Sequence, residues 1–114
     1  MILGIPEDIH ILPPWVAIGD PALSEIRAKA LTDRLRHDVP HGHPLFGRGI
    51  TAVAARMDCD DVLFEVDDPV SSLAVVHLTW RRETDPRWPR TTMYKDWREW
   101  AAEAMRPDDE DYVL

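Results

Sequence analysis

The sequence predicts an α+β domain: a three-stranded antiparallel meander with two amphipathic helices, to which the N-terminal arm can add an edge strand. Two observations lead there. Segments 50–57, 62–66 and 73–80 are rich in apolar and β-branched residues, and only Asp58-Cys59-Asp60-Asp61 and residues 67–72 separate them. Linkers of that length and turn chemistry suit hairpins and are too short for a crossover helix. The strands are also contiguous in the chain, with a helical pattern on either side, which is an α+β order.

The first nineteen residues contain three prolines and little periodicity. They read as an extended arm carrying Ile9, Ile11, Trp15, Val16 and Ile18 onto the core. Asp20-Pro21 reads as a helix start, with Asp as N-cap and Pro at the first helical position. Leu23, Ile26, Ala30, Leu31 and Leu35 then recur at helical spacing, Glu25 and Lys29 form an i,i+4 pair, and Val39-Pro40 ends the helix. Residues 37–49 form a loop, as do residues 81–95 with their prolines. Asp96 and Glu99 open a second helix with a capping-box pattern. Its stripe of Trp97, Trp100, Ala101, Ala104 and Met105 is the most regular in the chain, and Pro107 is expected to stop it. The division is thus one domain over 1–107, with 1–19 as arm, and a mobile acidic tail over 108–114.

Pairing the strands by two tight turns places Met57 opposite Val62, Phe64 opposite Val75 and Val62 opposite His77. Both helices are then expected on the face of Val62 and Phe64. The face of Leu78 and Trp80 would be covered only in part by the arm, and would complete its burial against a partner or a second copy.

Composition bounds the function. At 114 residues, with 45% hydrophobic and 30% charged residues, the chain has globular values. Thirteen Lys and Arg against 21 Asp and Glu give a formal charge of −8, which disfavours direct nucleic-acid binding and anionic membranes. Cys59 is alone, so neither an intramolecular disulfide nor a cysteine-based zinc site can form. Glu7 and Asp8 interrupt the apolar start, so no signal peptide is read, and no apolar run approaches a membrane span. A cytoplasmic protein is expected.

His37, His41 and His43 fall within seven residues and are the candidate metal ligands, but no acid stands next to His41 or His43 in sequence to orient a ligand ring. A solvated loop is the plainer reading, and no cofactor is expected. His77 sits inside an apolar strand, either as a histidine at the core's rim or as a general base oriented by Glu83 or Asp85 of the following loop. The acids at 58–61 and 67–68 lack EF-hand spacing and read as turns. Phosphate loops, nucleophile elbows and zinc-protease motifs are absent from the sequence.

What remains is the loop after the third strand. Trp80, Arg82, Arg87, Trp88 and Arg90 make a basic, aromatic patch on an acidic protein, and Arg and Trp are the residue types enriched at binding hot spots. They are the candidate binding residues.

The run His43-Pro44-Leu45-x-Gly47, then Asp60-Asp61-Val62-Leu63-Phe64, then Val75-Val76-His77-Leu78-Thr79-Trp80, with Glu83 and Pro89-x-Thr91-Thr92, resembles small bacterial proteins of unknown function. The resembling stretch covers residues 41–100 and implies no catalytic residue. Size and acidity are also similar to those of immunity proteins and toxin inhibitors, an analogy that rests on those two properties alone. The sequence expectation is therefore a small protein that binds another macromolecule, most simply a protein. Two further readings stand beside it: a small enzyme using His77 with the 81–92 loop, and an acidic nucleic-acid mimic.

Overall fold

A computed structural model describes residues 4–112. The elements are β1 (Trp15–Ala17), α1 (Glu25–Asp38), β2 (Ile50–Arg56), β3 (Asp61–Val66), β4 (Leu73–His77) and β5 (Thr91–Tyr94), then α2 (Trp97–Trp100), a π-helical turn (Ala101–Met105) and α3 (Arg106–Asp111). The fold is α+β. Its sheet is antiparallel throughout, with five strands in the order β1-β2-β3-β4-β5. The expected meander is its centre, the arm supplies the edge strand β1, and β5 is a strand where a loop was expected. Among the described residues no helix is long and apolar enough to cross a membrane.

The two helical regions lie on opposite faces of the sheet, not on one. Helix α1 packs Leu31 and Leu35 onto Ile50, Val62, Phe64, Val76 and Leu78. The C-terminal helical region and the arm cover Val53, Leu63 and Leu73 with Trp15, Trp100 and Met105. Leu78 is 2% exposed, so the face expected to await a partner is ordinary core.

The difference comes from two local features that shift the register. A bulge in β2 falls between Ala52, which pairs Phe64, and Ala54, which pairs Leu63. Its consequences are met by hydrogen bonds: the Ala52 amide donates to Thr32 Oγ1 of α1 (2.9 Å), and the Val53 carbonyl accepts from the Ile18 amide (2.9 Å). At the next hairpin, Asp68 Oδ1 accepts from the amides of Val70 (2.8 Å) and Ser71 (3.0 Å), an Asx turn. The connection closes where the Val66 amide meets the Ser72 carbonyl at 2.8 Å. That lengthens the turn, so Phe64 faces Ala74 and Asp61 faces His77. A one-residue slip sends alternate side chains to the other face.

Helix α1 begins later than expected. Ser24 is its N-cap, accepting from the Arg27 amide at 3.1 Å, while Asp20 caps a preceding turn through the Ala22 amide at 2.8 Å. Its inner stripe is Ala28, Leu31, Thr32 and Leu35, and Ile26 faces solvent. The ion pair on its outer side is Lys29–Asp33 at 2.9 Å in place of Glu25–Lys29. Val39 ends it in extended backbone, as a residue before proline does.

At the C-terminus, Asp96 accepts from the Glu99 amide at 2.9 Å, and Trp100, Ala101 and Met105 are buried as the stripe predicts. The helix does not stop at Pro107. The π-turn bonds the Arg106 amide to the Ala101 carbonyl, and this wider spacing gives the proline ring room where an α-turn would clash. The acidic segment therefore starts as helix, and Asp108 is fixed: its Oδ2 accepts from the Trp15 indole at 2.9 Å and its Oδ1 lies 3.3 Å from Arg56. Of the tail expected over 108–114, residues 113–114 lie outside the described residues.

Candidate binding surface at the end of the sheet

The register builds a row of charged side chains across the sheet. Trp15 faces Arg56, and Asp61 faces His77. Ala55 faces Val62, which continues to Arg56 opposite Asp61. Val76 faces Thr91, and the His77 amide donates to the Arg90 carbonyl at 3.0 Å, which brings Arg90 opposite His77. Directly opposed residues share one face of an antiparallel sheet. Trp15, Arg56, Asp61, His77 and Arg90 thus form one row, at the rim of the face covered by the C-terminal helix.

Within the row the ion pairs run from Arg56 outward. Arg56 makes two hydrogen bonds to Asp58, both 2.8 Å, and lies 3.9 Å from Asp61. The bond to Asp58 is the main cause that raises the Arg56 pKa above its ordinary value, and the same bond lowers that of Asp58. Asp61 Oδ1 lies 2.7 Å from Nδ1 of His77, whose side chain is 54% exposed. Since a carboxylate only accepts, Nδ1 carries the proton, and Nε2 is the atom left for a ligand. Asp61, His77, Trp88 and Arg90 line one cavity of about 300 Å³.

The β4–β5 loop is held in place by His43. This histidine is 4% exposed; its Nδ1 accepts from the Leu45 amide at 3.0 Å and its Nε2 donates to the Pro89 carbonyl at 2.9 Å. Thr91 Oγ1 donates to the same carbonyl at 3.0 Å. Burial lowers the His43 pKa, opposed by the bond to Pro89. His43 is therefore a neutral Nε2–H tautomer pinning the loop that carries Trp88 and Arg90.

The predicted site residues divide accordingly. His77, Trp88 and Arg90 meet at one cavity, whereas Glu83 is elsewhere. It is buried, its amide donates to the Asp38 carbonyl at 2.9 Å and its Oε2 accepts from Arg81 at 3.1 Å. Asp61 takes the orienting place expected of it. Arg87 is held by Asp85, whose pKa falls to about 2 chiefly through that hydrogen bond. The three candidate metal ligands go separate ways: His37 bonds Asp38 at 2.9 Å, His41 packs on Phe46 with ring centroids 4.1 Å apart, and His43 is the latch. Among the described residues no group of three His, Cys, Asp or Glu side chains is placed to hold a metal. Burial raises the thiol pKa of Cys59, which makes it a poorer nucleophile.

Trp80 and Trp88 are 48% and 41% exposed. Trp80 also holds φ at +60°, the left-handed region that is costly for a residue with a bulky side chain. Arg82 and Arg90 have no ion pair among the described residues, although Arg90 lies 6.0 Å above the Trp88 ring.

Comparison with protein-family models, with curated proteins and with solved structures finds no match to this chain.

Proposed function

We propose that the protein acts by binding another protein through the β4–β5 loop. The observation that carries this reading is Trp80, a large aromatic held half-exposed in left-handed backbone. Strain of that kind costs on the order of 1–3 kcal/mol and persists where surrounding structure imposes it, often at functional sites. Arg82, without an ion-pair partner among the described residues, and the exposed Trp88 stand on the same loop. Aromatic and Arg side chains are the types enriched at binding hot spots. Such a surface suits an immunity-like or inhibitor protein.

A photo-crosslinking amino acid at position 80, compared with one at the solvent-facing Ile26, tests it in cells. The expected result is a discrete crosslinked protein from position 80, abolished by Arg82→Ala, and none from position 26. Equal labelling from both positions, or none from either, would overturn the reading.

The Asp61–His77 pair favours a second reading, a small enzyme in which Asp61 orients His77 as a general base. In a binder, folded His77→Ala protein keeps the crosslink and the biological effect. In an enzyme it loses activity by orders of magnitude while binding persists.

A further inference from the structure

The row at the sheet's rim alternates basic and acidic side chains until its last gap. Arg56 is answered by Asp61, and Asp61 by His77. No acid follows between His77 and Arg90. Two groups end there unused: Nε2 of His77, a donor only when the ring carries both protons, and the Arg90 guanidinium, which makes neither a hydrogen bond nor an ion pair among the described residues. Both residues line the cavity of about 300 Å³, and Trp88 forms its apolar wall.

We propose that this cavity binds a carboxylate carrying a short aliphatic stem. Its oxygens accept from the Arg90 guanidinium and, when the ring carries both protons, from Nε2–H of His77, and its stem lies on the Trp88 ring. A cationic ligand is the wrong sign, because Asp61, the acid lining the cavity, is already engaged by His77 at 2.7 Å with Arg56 at 3.9 Å. A phosphate dianion fits less well, since among the described residues Arg90 is the one guanidinium lining the cavity and the Asp61 carboxylate stands beside it. A carboxylate needs one negative charge met and a planar guanidinium to meet it. A cavity of this size is at the small end for organic ligands and admits a short chain of carbons. The site shares Trp88 with the proposed protein-binding surface, but it uses neither Trp80 nor Arg82 and does not rest on that reading.

The carboxylate can belong to a free acid or to a glutamate side chain, and the test separates them. Wild-type protein is titrated at constant ionic strength with butyrate, with N-acetylglutamate amide whose backbone groups are capped, and with inorganic phosphate. The NMR signals of the His77 ring, the Arg90 side chain and the Trp88 indole are followed. Saturable shifts of all three with butyrate are expected, at concentrations on the order of millimolar for so small a ligand. Arg90→Gln and His77→Gln, each at an exposed rim position, should each weaken binding at least tenfold. Capped glutamate binding as well as butyrate assigns the site to a partner's side chain, and butyrate binding alone assigns it to a free acid. The proposal is overturned by unsaturable shifts, by affinity unchanged in both variants, or by phosphate binding more tightly than butyrate. Should one variant lose its folded spectrum, the other decides.

Discussion

The two faces of the sheet are closed in different ways. The α1 face is almost wholly aliphatic: one continuous helix lays Leu31 and Leu35 against Val62, Phe64, Val66 and Val76. The other face is assembled from pieces distant in sequence. Trp15 of β1 meets Trp100 edge-on with ring centroids 5.3 Å apart, and Trp97 meets Trp100 likewise at 5.6 Å. Around them lie the arm and the π-helical turn. The patchwork of aromatics leaves a rim, and that rim carries the charged row and the cavity lined by Asp61, His77, Trp88 and Arg90. The proposed carboxylate site lies where the packing is composite.

The largest expected effect is at the centre of the composite face. Trp100 is fully buried between two other tryptophans, so Trp100→Ala removes the keystone of three sequence segments at once. A loss of about 3–5 kcal/mol is expected from transfer and cavity terms together. Chemical denaturation measures it, and amide exchange should show the arm opening along with the helix. If exchange in the arm is unchanged, the face is not one cooperative unit.

A smaller effect is expected where the acidic segment is tied down. The Trp15 indole N–H is buried and donates to Asp108, which also sits beside Arg56. Asp108→Ala leaves that donor unsatisfied and should cost about 1–3 kcal/mol. Removing residues 109–114 keeps this bond and should cost less than about 0.5 kcal/mol, as for other changes away from packed structure. Equal losses in the two proteins would show that the hydrogen bond contributes nothing and that the segment's end is what docks.

Much of the fold was legible because strand and helix identity rest on many residues at once. Strands 50–56, 61–66 and 73–77 fall within two or three residues of their predicted bounds, and of the Trp97–Met105 stripe Trp100, Ala101 and Met105 are buried while Trp97 and Ala104 are half-buried. Register was not legible, because it turns on single hydrogen bonds: Thr32 catching the Ala52 amide at the bulge, and Asp68 lengthening a turn. Strand β5 was hidden by its four-residue length and by Pro89 just before it. The candidate site shows the same split. His77, Trp88 and Arg90 stand out by residue type, yet Asp61 reads as one more turn acid until the hairpin is paired correctly. A shift of one residue, from Val62 to Asp61, separates an apolar neighbour of His77 from its carboxylate.

The smallest expected effect compares the two histidines that flank β5, one latched and one open. His43 is buried and neutral, and its Nδ1 needs its lone pair to accept from the Leu45 amide. Protonation would turn that acceptor into a donor facing a donor. Its pKa is lowered by burial, so between the ordinary imidazole value of about 6.5 and the depressed folded value the unfolded chain binds the extra proton and the native chain does not. The contribution to stability is complete above the unfolded value and is lost as pH falls through the folded one. His43→Gln keeps an amide N–H for the Pro89 carbonyl and has no proton to gain. Its stability should therefore fall less steeply than that of the wild type between pH 7 and the onset of carboxylate protonation. The difference between the two denaturation curves, followed against pH, isolates this group from the acids common to both proteins. Parallel curves would mean that His43 accepts a proton in place, and that the loop bearing Trp88 and Arg90 is held by Thr91 without it.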